Sequence, residues 1–213
     1  MTARARELLA QAVLAAALAL LAWYFVSNTA ANLEARRIAS GFAFLWREAG
    51  FEIGETAGLA YSAADSYLRA LAIGLANTFR IAVIGVVFAT VLGALLGLAR
   101  LSPNWLLAKL AAAYVELIRN VPLLVQLFFW YAVLSENLPG PAEALNPLPG
   151  VFLSNRGIFI PLPGSTPQLS GFNFSGGASL SPEFAALLLG LVTYTAAFIG
   201  EIVRAGILSV HRG

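Results

Sequence analysis

Long apolar stretches separated by polar segments dominate the pattern of this chain. A membrane-spanning helix needs about 20 mostly apolar residues, because the hydrocarbon core is about 30 Å thick and each helical residue rises about 1.5 Å. Four stretches meet this requirement, and they predict spanning helices over residues 8–26, 78–99, 110–134 and 182–208. The chain is therefore expected to be an all-α membrane protein.

The first stretch ends with Trp23 and Tyr24, whose side chains suit a membrane–water interface. Arg4 and Arg6 precede it, as basic residues precede a cleavable secretory signal. The apolar part of such a signal is about 7–15 residues long, and this stretch is longer. We therefore predict a spanning helix, with a secretory signal as the alternative.

Small residues recur at every fourth position of the second stretch. Gly85, Ala89, Gly93 and Gly97 would form one smooth stripe on a helix, along which a neighbouring helix can approach closely. The pattern predicts a helix-packing face, although a span rich in Ala and Gly can also produce such a stripe by chance.

The fourth stretch begins with a serine, a proline and an acidic residue. Ser181 can cap a helix, Pro182 fits the first helical turn, and Glu183 complements the helix dipole. These residues predict that the last helix begins here.

Charged residues inside the third and fourth stretches are the first candidates for a functional site. A charge at membrane depth costs about 2.5 kcal/mol or more on insertion scales, so it needs a partner or a watery cavity. Glu116 and Arg119 are three residues apart, as are Glu201 and Arg204, so each pair can form an ion pair along its own helix. Both pairs can be surface ion pairs near the cytoplasm. Alternatively, Glu116 and Arg119 border the path of a zwitterionic solute.

Four more polar or helix-breaking residues are candidate pathway residues: Thr78, Asn120, Pro122 and Gln126. Pro122 predicts a helix kink, which polar pathways often contain but which can also serve packing alone. A lone amide such as Gln126 more often bridges two helices. Near Thr78, we expect Arg80 to extend to the membrane interface.

Basic residues in short links predict the orientation, because such links favour the cytoplasm. They place the amino terminus, the link around residues 100–109 and the carboxyl end inside, and residues 27–67 and 135–181 outside. Residues 135–181 are rich in Pro, Gly, Asn and Ser and are predicted to be an irregular loop. The basic residues behind this assignment are Arg4, Arg6, Arg100, Lys109, Arg204 and Arg212.

Composition argues against an enzyme. Hydrophobic residues make up 59% of the chain and charged residues only 11%, against about 25% in soluble domains. Cysteine is absent and His211 is the only histidine, so no metal site, catalytic triad or cofactor is expected. The only lysine, Lys109, stands in no Walker motif, and the scattered basic residues do not indicate nucleic acid.

Several separated motifs resemble one transporter family. Residues 77–102, residues 114–126 with the run YVELIRNVPLLVQ, and residues 194–213 are similar to the polar amino acid permeases of ABC importers. Residues 155–157 and 181–184 resemble the general L-amino acid permeases in particular. The resemblance covers most of the chain from about residue 50.

This resemblance implies part of a type I ABC importer in the bacterial inner membrane. The expected partners are a second permease subunit, ATP-binding subunits and a periplasmic amino acid-binding protein. Residues 1–69 would then be an amino-terminal helix with a periplasmic segment, and residues 70–213 a partial permease domain. An ATP-independent carrier or channel and a membrane scaffold are the alternatives, although the inverted repeats typical of carriers are not visible.

The chain also departs from the family pattern in two places. In the family, the position of Gly213 leads into the cytoplasmic Glu-Ala-Ala loop that docks on the ATPase, so we expect this chain to be a fragment. Close relatives often carry an extra pair of spans in the region corresponding to residues 160–171, where this chain has a short loop.

Overall fold

The computed structural model describes residues 3–36 and 41–210, and the chain divides into two compact units, Met1–Arg47 and Glu48–Gly213. The first unit contains helix α1, Ala3–Ala35, and a short 3-10 helix, Ala43–Trp46. Helix α1 is long and apolar enough to cross a membrane, and none of its apolar window is buried. Such a surface suits contact with lipid.

Helices also account for most of the second unit. They are α2, Tyr67–Ala99; α3, Trp105–Asn120; α4, Leu123–Glu136; and α5, Pro182–Ser209. Helices α2 and α5 are each long and apolar enough to span a membrane, whereas α3 and α4 meet this test only together and are bent by 105°. In the described residues, three helices are therefore candidate spans, or four if the bent pair counts as one.

The predicted single helix over residues 110–134 is wrong, because the helix is interrupted at Pro122: α3 ends at Asn120, and α4 begins at Leu123. Proline disfavours helical geometry in the residue before it, and Val121 is extended, with φ −99° and ψ 126°. Pro122 itself is the N-cap of α4. The expected kink is therefore a full break between two helices.

Helices α2 and α5 form the largest contact between elements in this unit. The stripe of small residues on α2 faces α5: a Cβ added to Gly93 would lie 2.6 Å from the Ile199 side chain, and one added to Gly97 would lie 2.8 Å from Val203. Ala89 is 2% exposed. Near Gly85 the two helices lie further apart, and the nearest atom to an added Cβ is 4.0 Å away.

Residues 145–180 contain short β-strands, so the expectations of an all-α fold and of an irregular loop here are corrected. Four antiparallel strands form a sheet in the order β1-β2-β3-β6, and β4 and β5 form a separate hairpin. Each strand has only three or four residues between Pro-rich or Gly-rich turns, too few to show a clear alternation in the sequence. The strands are β1, Leu145–Leu148; β2, Val151–Ser154; β3, Gly157–Ile160; β4, Gln168–Ser170; β5, Asn173–Ser175; and β6, Ala178–Leu180.

The start of α5 follows the expected capping pattern. The Ser181 side chain accepts a hydrogen bond from the Phe184 main-chain N–H at 3.2 Å, and Pro182 is the first helical residue. Strand β6 ends immediately before this cap, so the sheet leads directly into the last helix.

Candidate functional site

One carboxylate gathers three arginines from three helices. The Glu201 carboxylate on α5 forms ion pairs with Arg100 at the end of α2, with Arg119 on α3 and with Arg204 on α5. The Arg119 and Arg204 guanidinium nitrogens each lie 3.8 Å from a Glu201 oxygen, too far for a hydrogen bond. We call these four residues the Glu201 cluster.

A cavity of about 530 Å³ opens beside this cluster. It is lined by two positive side chains, Arg100 and Arg119, and by two negative ones, Glu116 and Glu201. The Phe198 ring forms part of the wall, and the Arg119 guanidinium carbon lies 5.1 Å from its centroid, within range of a cation–π contact. The lining residues are Arg100, Ala112, Val115, Glu116, Arg119, Asn120, Phe198 and Glu201.

The expected ion pair between Glu116 and Arg119 does not form within residues 41–210. Arg119 instead approaches Glu201, and the Glu116 carboxylate has no ion-pair or hydrogen-bond partner there. The second expected pair, Glu201 with Arg204, is present but is shared with two other arginines. The cavity thus holds one unpaired carboxylate and one weakly paired guanidinium on the same helix.

The Gln126 side chain on α4 forms hydrogen bonds across the break between α3 and α4. Its side-chain nitrogen donates hydrogen bonds to the main-chain carbonyls of Ile118 at 2.8 Å and Val121 at 2.9 Å. The residue is 6% exposed and does not line the cavity. Another bond joins α3 to α5, because the Tyr114 hydroxyl donates to the Thr193 carbonyl at 3.0 Å.

A second charge cluster lies further toward the start of α2. Arg80 forms an ion pair with Glu55 at 2.7 Å, and the second Glu55 oxygen accepts from the Ser181 main-chain N–H at 3.2 Å. Asn77 donates to the Glu55 main-chain carbonyl, and the Arg80 guanidinium stacks 4.6 Å from the centroid of the Phe184 ring. We call Glu55, Asn77, Arg80 and Ser181 the Glu55 cluster.

The two clusters are separated by about one membrane thickness. Arg80 and Arg100 are twenty residues apart on α2, and Ser181 and Glu201 are twenty residues apart along α5 and its cap. Twenty helical residues extend about 30 Å, which equals the usual thickness of the hydrocarbon core. The apolar segments of α2 and α5 therefore lie between the Glu55 cluster and the Glu201 cluster.

Thr78 lies away from the cavity that contains Arg119. Its hydroxyl donates to the Gly74 carbonyl of its own helix at 2.8 Å, on an exposed face. Arg80, which we expected to extend to the membrane interface, forms an ion pair with Glu55, and 29% of its side chain is exposed.

Sequence reasoning missed Arg100, Phe198 and Glu55 as members of these sites. Arg100 entered only as a basis for the orientation, and Glu55 lies in the segment over residues 27–67, in which no site residue was predicted. Their partners are 101 and 25 residues away along the chain, so no local spacing could reveal them. Among the described residues, no group of three His, Cys, Asp or Glu side chains could hold a metal ion.

The long apolar helices and the charged cavity between them define a multi-pass membrane protein. The chain is 38% identical to YhdX of Escherichia coli, which carries the name of an amino-acid ABC transporter permease, over an alignment that covers 93% of this chain and 66% of the relative. It is 34% identical to AapQ of Rhizobium johnstonii, a general L-amino acid transport system permease, over 90% of this chain and 64% of the relative.

A third relative is BztB of Rhodobacter capsulatus, a permease protein of a glutamate/glutamine/aspartate/asparagine transport system. It is 30% identical over 92% of this chain and 67% of its own length. The chain belongs to the family of amino-acid ABC transporter permeases. No protein-family model and no solved structure matches it significantly.

The chain spans about two thirds of the length of these curated relatives. The alignment with the E. coli relative runs over 262 positions, more than the 213 residues of this chain. That relative therefore carries residues inside the matched region that this chain lacks.

Proposed function

We propose that the chain is a transmembrane permease subunit of an ATP-driven amino acid importer, and that the cavity beside Glu116 and Arg119 is part of the solute path. The observation that carries this proposal is the pair of incompletely matched opposite charges on one helix face. A free amino acid carries a carboxylate and an ammonium group on one carbon. Arg119 can bind the first and Glu116 the second.

Membership of the permease family supports the rest of the assembly. In this proposal a separate subunit hydrolyses ATP, a second permease subunit completes the pathway, and a periplasmic binding protein delivers the amino acid. The relatives are named as permease proteins of transport systems, which supports a place for this chain among several subunits. This chain would supply the path and not the energy source.

In the orientation that we propose, the amino terminus would lie in the cytoplasm of a bacterial cell and the chain in its inner membrane. Helices α1, α2 and α5 and the broken pair of α3 and α4 would make four crossings, with the sheet of residues 145–180 outside. The Glu55 cluster would lie at the outer boundary and the Glu201 cluster at the inner one, because basic links favour the cytoplasm.

Within this arrangement, the remaining candidate residues have distinct places along the helices. Glu201 and Arg204 would form the coupling-side ion pair, since one carboxylate joins α2, α3 and α5 close to the inner boundary. Asn120 would border the cavity, Pro122 would shape the path, and Thr78 would lie nearer its outer end.

Uptake in a bacterium that lacks its own amino acid permeases tests this function. The complete gene product containing this sequence is expressed with the ATP-binding and binding-protein genes beside it, and the uptake of radiolabelled L-amino acids is measured. We expect uptake that disappears when the ATP-binding subunit carries a substitution of its Walker lysine. Uptake that persists without ATP hydrolysis would indicate an ATP-independent carrier, and no uptake of any amino acid would contradict the proposal.

A further inference from the structure

The break between α3 and α4 leaves main-chain carbonyls at the end of α3 without helical partners. The last four carbonyls of any helix lack an intrahelical donor, and Pro122 prevents the helix from continuing. Gln126 supplies donors to two carbonyls at this break, those of Ile118 and Val121. These two residues directly flank Arg119 and Asn120, which line the cavity.

The orientation of the Gln126 amide is fixed by its surroundings. Two carbonyl oxygens lie within 2.9 Å of its nitrogen, and an amide oxygen in that place would face two acceptors. The amide oxygen is buried and has no hydrogen-bond partner in the part of the chain that the structure describes. Gln126 therefore acts at this place only as a donor.

We infer that Gln126 is a positioning residue that fixes the last turn of α3, and with it the direction in which Arg119 and Asn120 enter the cavity. It acts through these two side chains and does not contact the solute. The consequence for transport rests on the function proposed above, whereas the consequence for the helix bend does not.

Two substitutions of similar size change the hydrogen-bond donors of Gln126 without changing the bulk of its side chain. Gln126→Met keeps the length and removes both hydrogen bonds. Gln126→Glu also keeps the length, but it can donate at most one hydrogen bond, because a carboxyl group buried against two carbonyl oxygens is protonated. Both should loosen the bend, with the larger effect in Gln126→Met.

The bend can be measured directly with spin labels, because residues 1–213 contain no cysteine. Any cysteine elsewhere in the complete gene product or in its partners is first replaced by serine. Lys109→Cys on α3 and Glu136→Cys on α4 introduce two exposed sites for spin labels in the complete gene product, reconstituted in lipid nanodiscs with its partners. We expect a narrow distribution of label–label distances with Gln126 in place, and a broadened or shifted one in both variants. An unchanged distribution in both variants would overturn the inference.

Uptake measurements complete the test. Loss of two neutral hydrogen bonds should lower the uptake rate of Gln126→Met by about tenfold. The factor should be the same for acidic and neutral amino acids, because the residue does not contact the solute. A loss confined to one substrate class would identify Gln126 as a solute ligand and overturn the inference. If no amino acid is taken up even with Gln126 present, the proposed function fails while the spin-label result still decides the role of Gln126.

Discussion

The Glu55 and Glu201 clusters both join α2 to α5, but they differ in how completely their charges are matched. In the Glu55 cluster, one carboxylate meets one guanidinium at 2.7 Å, and its second oxygen accepts a main-chain hydrogen bond. In the Glu201 cluster, one carboxylate serves three guanidiniums, two of them at 3.8 Å, and the Glu116 carboxylate nearby has no partner among the described residues. In the first cluster the carboxylate and the guanidinium are fully paired. The second lies beside an unpaired carboxylate and contains two weakly paired guanidiniums, and we propose that Glu116 and Arg119 there bind the solute.

The helix contact between the clusters differs in the opposite sense, because it is close beside the Glu201 cluster and open toward the Glu55 cluster. Near the Glu201 cluster, Gly97 allows α2 and α5 to pack closely, whereas near Gly85 the helices diverge and leave an apolar groove of about 200 Å³. Close packing therefore holds α2 and α5 together beside the charged cavity. Glu116 and Arg119, which we propose bind the solute, are on α3, which contacts this pair less extensively.

The largest effect is expected from filling the close contact. In Gly97→Leu, the new Cβ would lie 2.8 Å from Val203 and 2.9 Å from the Gly200 main-chain oxygen, so the helices must separate. We expect a loss of about 3 kcal/mol in the free energy of unfolding. Titration of the purified protein in detergent micelles with sodium dodecyl sulfate, followed by tryptophan fluorescence, measures this loss. Unchanged stability would show that the helices do not pack here.

Removing the shared carboxylate should have the next largest effect. Glu201→Gln leaves three guanidiniums together without a negative partner, and we expect a loss of about 2 kcal/mol, reduced by the partial exposure of these side chains. The same unfolding titration measures it, and added salt should narrow the difference from the unsubstituted protein. A loss below about 0.5 kcal/mol, as at ordinary surface positions, would contradict a central role for Glu201.

Glu55→Gln should cost less, about 1 kcal/mol, because it leaves only one guanidinium without a carboxylate and keeps an acceptor for the Ser181 N–H. Unfolding of this variant is measured under the same conditions as Glu201→Gln. A larger loss for Glu55→Gln than for Glu201→Gln would reverse the comparison between the two clusters.

The smallest effect is expected at the open end of the helix contact. In Gly85→Ala, the added methyl group meets nothing closer than 4.0 Å, and alanine favours the helix. We expect the variant to be about 0.5 kcal/mol more stable. Its counterpart of the same size is Gly97→Ala, in which the added methyl group would lie 2.8 Å from Val203 and should destabilise the protein. Equal destabilisation by both alanine substitutions would mean that the two ends of the contact are equally close.

Much of the helical part of the fold follows from the sequence. Residues 8–26, 78–99 and 182–208 were predicted as spans and lie within α1, α2 and α5, because long apolar runs leave few alternatives. The strands between residues 145 and 180 could not be predicted in the same way. They are short, and the prolines and glycines around them have the signature of turns.

The site was harder to predict than the helices. Spacing along one helix suggested that Glu116 would pair with Arg119, but the structure turns Arg119 toward Glu201 on another helix. The direction of the side chains on α3 depends on the 105° bend between α3 and α4. The presence of a proline in the sequence does not give the size of such a bend. Their position as charges inside apolar stretches marked Glu116, Arg119 and Glu201 as candidates, but it did not show that they meet at one cavity.

Amino acid uptake by Arg119→Leu tests most directly whether the solute passes through this cavity, with Lys109→Leu as the matched control. Both substitutions remove one positive charge from α3, but Lys109 is exposed and does not line the cavity. Uptake is compared at equal amounts of protein in the membrane. We predict that Arg119→Leu abolishes uptake and that Lys109→Leu retains it. Uptake by Arg119→Leu equal to that of the control would contradict a solute path through this cavity.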